Sequence, residues 1–180
     1  ESERLESCRR RVRSGDPEGM EAQAAAHYFP ILFGRGFDRS QESWTNASLD
    51  YGYAVLRGAI ARSLVAHGML PSIGLFHASE QNAFNLADDL IEPFRAIVAL
   101  HVAVRLRTGC TEPAELIPAD KVGLVGLLNT DVRMACGDMT VLAAIELATE
   151  SLMRVLEEDA DEGLALPTLI GLRQHPIDRG

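Results

Sequence analysis

The sequence predicts an all-α fold, on three observations. Apolar residues recur every three or four positions over long stretches, as in Leu49, Tyr53, Leu56, Ile60 and Leu64, the spacing of one helix face. No alternating apolar–polar run is long enough to predict a strand. Helix stops such as Gly34, and His67-Gly68 followed by Pro71, close the periodic stretches where a helix cannot continue.

Taken in order, residues 2–13 read as a polar, Arg-rich helix ended by Ser14-Gly15. Asp16-Pro17 restarts the chain, with Asp as N-cap and Pro at the first helical position. The helix it opens runs through Ala24, Ala25 and Ala26 to about Leu32. Residues 35–47 read as a loop holding the only tryptophan, Trp44. A long helix follows from about Ser48, then a second loop at 72–84. From Asn85 a helix carries Leu90, Phe94, Ile97 and Val98 as core anchors, with Pro93 predicting a kink or a later start. Further helices are predicted at 111–117, 119–128, 130–135 and from Met139 to Glu158. The acidic run at 157–163 reads as a solvated turn, and the stretch after Pro167 as a short helix with a frayed end.

The 180 residues suit one domain, with 1–13 as a lead-in and 164–180 as a C-terminal tail. Apolar residues make up 47% and charged residues 24%, an ordinary globular balance. No apolar run approaches the ~20 residues of a membrane span. The charged opening Glu-Ser-Glu-Arg carries no initiator Met and reads as the middle of a longer protein, with an N-terminal domain missing. Cys8, Cys110 and Cys136 are too few and too scattered for a disulfide framework or a zinc site, which predicts a reduced cytoplasm. A net charge of −9 argues against nucleic acid, because phosphate binding needs a basic footprint. Arginines nevertheless cluster at 9–13 and recur as Arg57, Arg62, Arg95, Arg105 and Arg107.

Three groups are candidates for chemistry. His77 lies in the second loop, and Asp88, Asp89 and Glu92 lie at the start of the following helix. Residues three or four apart share a helix face, so either aspartate can join Glu92. A histidine and two carboxylates converging on one spot suit a divalent cation. Glu21, or Glu18 three residues earlier, stands on an alanine-rich helix against which another element can pack closely. Each has an ordinary reading too: a solvated helix glutamate, a structural loop histidine, and acids that favour a helix N-terminus through its dipole. Spacing alone does not choose among them. Walker, Gly-x-Gly-x-x-Gly and Gly-x-Ser-x-Gly patterns in their usual contexts are missing.

Four segments, in order, resemble the CRISPR-associated integrase family (Cas-one), the endonucleases that insert spacers into CRISPR arrays. They are Glu-Ala-Gln-Ala-Ala-Ala-His-Tyr-Phe at 21–29, Leu-Asp-Tyr-Gly-Tyr-Ala-Val-Leu-Arg at 49–57, Gly-Met-Leu-Pro-Ser-Ile-Gly-Leu-Phe-His at 68–77 and Asn-Leu-Ala-Asp-Asp-Leu-Ile-Glu-Pro-Phe-Arg at 85–95. The resemblance covers about 14–130 best, and Gln-Asn-Ala-Phe-Asn-Leu-Ala looks most like the type II branch. It implies an all-α catalytic domain that follows an N-terminal β domain. Carried over by motif, it implies metal ligands Glu21, His77 and Glu92, with Asp89 beside them as a further catalytic residue. Glu21 is preferred over Glu18 because Tyr28 and Phe29 follow it at the family's spacing, and Asp88 falls one position before the matched Asp-Leu-Ile-Glu string.

The same resemblance implies Mn²⁺ or Mg²⁺ as cofactor, with a nitrogen ligand favouring Mn²⁺. It implies attack of a DNA 3′-hydroxyl on a phosphodiester, with hydrolysis as the side reaction. The implied partners are double-stranded DNA (protospacer and CRISPR repeat), a second copy in a homodimer, and the small protein Cas-two. A prokaryotic cytoplasm is implied as location. The competing expectation is an inactive helical interaction module on the same scaffold.

Overall fold

Ser43 starts one of the two longest helices among the described residues, Trp44–Ala66. Its hydroxyl accepts the backbone N–H of Asn46 at 3.1 Å, a serine N-cap. The helix therefore begins at Trp44, four residues before the position that apolar spacing predicts. This computed structural model describes residues 7, 8, 10, 11, 18–109, 112–158 and 163–174, save the side chain of Glu21. The predicted Asp16-Pro17 start and most of the lead-in helix lie outside the described residues.

Among them five helices are found: α1 (Met20–Phe33), α2 (Trp44–Ala66), α3 (Asn85–Thr108), α4 (Pro118–Gly126) and α5 (Val141–Glu158). The backbone divides into two compact units, Glu1–Gln41 and Glu42–Gly180. In the first unit, α1 ends at Gly34, whose φ of 96° only glycine adopts readily. Phe29, Phe33 and Phe37 form a tilted aromatic cluster there, with centroids 4.8–5.9 Å apart.

In the second unit α2 is the hub, packed against α3, α4 and α5. Its buried face includes Leu49, Leu56, Ile60 and Leu64, as the periodicity predicts. Gly52 makes the α2–α3 crossing close: a Cβ there would lie 2.5 Å from Val98 Cγ1. The anchors Leu90, Phe94, Ile97 and Val98 of α3 are all buried. Pro93 stands inside α3 without ending it, although it has no N–H for the carbonyl of Asp89 four residues back. Trp44 is buried and donates its indole N–H to Asp120 of α4 at 3.0 Å. Glu112 holds the start of α2 by accepting the Thr45 N–H and hydroxyl at 2.9 and 2.6 Å, an acid at a helix N-terminus.

The fold is mostly helical, and the all-α expectation needs correction. A three-stranded antiparallel sheet of order β2-β1-β3 is formed by β1 (Thr130–Met134), β2 (Gly137–Thr140) and β3 (Thr168–Gln174). Residues 130–135, predicted as a helix, alternate buried Thr130, Val132 and Met134 with more exposed neighbours, the period of a strand. Five residues are too few to separate that period from a helical one. The β1–β2 hairpin pairs Val132 with Met139 and Arg133 with Asp138, so Met139 and Thr140 belong to a strand and α5 begins at Val141. The short helix predicted after Pro167 is β3, and no helix covers 112–117. Val141, Ala144, Ile145, Ala148 and Leu152 of α5 are buried at helical spacing. Among the described residues no helix is long and apolar enough to cross a membrane.

Candidate metal centre

The loop at 70–84 folds back on the first turn of α3, and polar side chains of that turn hold it. Asp89 accepts the backbone N–H groups of Leu75, Phe76 and His77 at 2.6, 3.1 and 3.0 Å. Buried Asn85 donates its amide N–H groups to the carbonyls of Ser72 and Ser79 at 2.9 and 2.8 Å. Gly74 sits where the loop meets α3: a Cβ there would collide with the His77 carbonyl oxygen and come within 2.9 Å of the Asp89 carboxylate. The backbone path around His77 is thereby fixed before its side chain is considered.

The ring of His77 completes the arrangement. Its Nδ1 lies 2.7 Å from Asp89 Oδ1. Burial raises the Asp89 pKa, but the hydrogen bonds from the His77 and Phe76 amides, the His77 ring and the Leu75 amide outweigh it and hold the carboxyl below its usual 3.8. An ionised carboxylate only accepts, so Nδ1 carries the shared proton. In the neutral ring this leaves the Nε2 lone pair available. A carboxylate that fixes the far nitrogen of a histidine is the usual support of a metal-ligating imidazole.

Glu92 lies one turn along α3 from Asp89, and its carboxylate meets Arg95 Nη1 at 3.1 Å. Asp88 turns elsewhere. It accepts the Asn82 amide at 2.7 Å and faces Arg57 Nη1 at 3.7 Å. Asp88 also lines a cleft of about 300 Å³ between α2 and α3, with Asp50, Tyr53, Arg57, Ile91 and Arg95. Two guanidinium groups there lie over rings, Arg57 over Phe84 and Arg95 over Tyr53, each 5.2 Å from the centroid.

Glu21 occupies the first turn of α1, in the other unit, and its carboxylate lies outside the described residues. Glu18, the alternative, is paired with Arg11 at 2.8 Å. Among the described residues no three His, Cys, Asp or Glu side chains group as a metal site. His77 with Asp89 is the pair that the structure brings together. Sequence reasoning missed Asn82, Asn85 and the Tyr53–Arg57–Arg95 cleft. Asparagines flanking a helix start are a signal for a side-chain-braced turn, whereas the cleft depends on how α2 and α3 cross.

A family model described as CRISPR associated protein Cas1 matches residues 3–109. The chain belongs to the Cas1 family. It is 41% identical, over 98% of its length, to the CRISPR-associated endonuclease Cas1 of Neisseria meningitidis serogroup C (strain 8013). It is 31% identical over 51% of its length to a CRISPR-associated endonuclease Cas1 of Francisella tularensis subsp. novicida (strain U112). The chain spans 58% of the Neisseria Cas1 and 32% of the Francisella one. Among solved structures it resembles a casposase bound to integration product, with a TM-score of 0.69 and 22% identity over 83% of this chain and 52% of that one. That likeness is one of fold. All four motifs of the resemblance fall inside the matched Cas1 span.

Proposed function

We propose that this chain carries the catalytic region of a divalent-metal-dependent DNA integrase and endonuclease of CRISPR adaptation. The observation that supports it most is the His77 ring held at 2.7 Å by an Asp89 carboxylate that also takes three loop amides. Such bracing aims one imidazole nitrogen at a ligand. Membership of the Cas1 family supplies the reaction class.

In this reading His77 Nε2, Glu92 and Glu21 hold the cation, and Asp89 is a positioning residue that sets the ring and its tautomer. The donor set of one nitrogen and two carboxylates fits Mn²⁺, and Mg²⁺ less well. A bound cation supplies Lewis-acid polarisation of the scissile phosphate and stabilises charge on the leaving oxygen. The 3′-hydroxyl of the incoming strand forms a bond to phosphorus as the target's P–O3′ bond breaks. One phosphodiester is made for each one lost, and water in place of the hydroxyl gives hydrolysis. Glu18 is engaged by Arg11, and the spacing of Tyr28 and Phe29 after Glu21 selects Glu21 for the ligand role. Arg95, paired with Glu92, is a candidate contact for the phosphate backbone in this reading. Double-stranded DNA is the substrate, and a homodimer bridged by Cas-two is the working assembly.

The test is strand transfer of a 3′-hydroxyl oligonucleotide into repeat-containing DNA, with Mn²⁺ and with chelator. Joining that depends on metal and disappears in Glu21→Ala, His77→Ala and Glu92→Ala is the expected result. Joining unaffected by chelator or by these changes would refute the assignment. A second reading, an inactive interaction module, is favoured by the net charge of −9. It predicts no joining under any condition.

A further inference from the structure

We propose that Phe76, with Leu75 beside it, is a stacking platform for an unpaired nucleobase of the strand presented to His77. The inference rests on the reading of His77 as part of a DNA-joining site. Leu70, Ile73, Leu75 and Phe76 lie on one loop and are 62, 65, 62 and 54% exposed. None of these side chains folds the loop. That is done by Asp89 with the three amides, by Asn85 with two carbonyls, and by the Leu86 N–H on the Pro71 carbonyl at 2.7 Å. Large apolar side chains that a polar scaffold holds in water, at unfavourable hydration, mark a contact surface.

Two features choose a nucleobase as the occupant. Phe76 meets the His77 ring edge-on, with centroids 5.8 Å apart and planes at 89°, so its ring is held while most of its surface stays open. A phosphate that reaches His77 carries its base within one nucleotide's length of Phe76. Stacking needs only a π face and tolerates any sequence, which suits an enzyme that joins DNA of many sequences. The amide hydrogen bonds set Phe76 at a fixed distance from His77, so a stacked base would register the adjacent phosphate at the site.

The experiment uses the intact protein and DNA with an unpaired 2-aminopurine next to the joining phosphate. Binding is followed by fluorescence, and joining by gel, on the same samples. Wild type and Phe76→Trp should quench the probe. Phe76→Ala should lose the quench and bind about tenfold more weakly, the order of one lost base–aromatic stack, with an unchanged thermal midpoint because the ring is exposed. Equal quench and affinity in Phe76→Ala, with wild-type joining intact, would overturn the stacking role alone. So would a substitution that changes oligomeric state but not DNA affinity, since that assigns the patch to a protein partner. A wild type that neither binds nor joins this DNA would remove the functional reading and this inference together.

Discussion

Asp89 has more dependents than any other acid in the described site. Its carboxylate is the common acceptor of three backbone amides and the His77 ring, so its removal leaves several donors without their partner. Asp89→Ala should cost about 2–3 kcal/mol in chemical denaturation, the scale of stranded polar groups. Metal affinity or joining should fall roughly 10–100-fold, as for a lost support of a ligating histidine. The pH dependence follows from the depressed pKa. An acid whose folded pKa lies below its unfolded value of 3.8 contributes its full stability above that value and loses it as the pH falls through the folded pKa. Acid titration of the melting temperature should show this step in wild type, and Asp89→Asn should lack it. His101 gives a separate, milder signature. Burial first, then Arg105, push its pKa below 6.5, with Asp120 opposing. The unfolded state therefore takes up a proton first, and stability should decline from pH 6.5 downward until the folded pKa is passed. His101→Gln should flatten that limb.

At the scale of elements, close approach explains both the fold and its prediction errors. The helices that fix the site were legible: α2 and α3 have long apolar faces, and their predicted anchors are buried except Tyr53, which is half-buried and lines the cleft. Trp44 was misread as a loop residue because its burial depends on Asp120, 76 positions away, a contact invisible to local periodicity. The sheet was missed because β1 is five residues and β2 four, shorter than the window in which a period of two can be told from 3.6. Spacing offered His77, Asp88, Asp89 and Glu92 as candidates, and only the ordered motifs preferred Asp89 and Glu92 over Asp88, because acids at a helix start have an ordinary explanation. The role of Asp89 in holding the loop needed coordinates. Gly52→Ala tests the α2–α3 crossing. The added methyl would meet Val98 Cγ1 at 2.5 Å, an overpacking cost of about 1–3 kcal/mol. The helix propensity gained over glycine returns up to about 1 kcal/mol. Denaturant unfolding should show net destabilisation. Gly74→Ala should damage the loop more than the core, lowering metal affinity further than global stability.

At the scale of the whole chain, the charge works against the proposed DNA-joining function. A net charge of −9 opposes polyanion binding, and the α2–α3 cleft balances Arg57 and Arg95 with Asp50 and Asp88. Under the proposed function, DNA engagement would depend on local arginines and on neutralisation of the Glu21 and Glu92 carboxylates by a cation. Metal binding should accordingly strengthen DNA affinity as well as permit joining. The central claim, that His77 and its acidic partners bind a divalent cation, is tested most directly by Mn²⁺ titration of the thermal midpoint. At a metal concentration about 100 times Kd, binding to the native state contributes about 2.7 kcal/mol, which for a chain of this size is a rise of roughly 5–10 °C. That rise is expected in wild type, and its loss in His77→Ala, Glu92→Ala and Glu21→Ala. A wild type whose midpoint ignores Mn²⁺, or variants that rise as far as wild type, would contradict it.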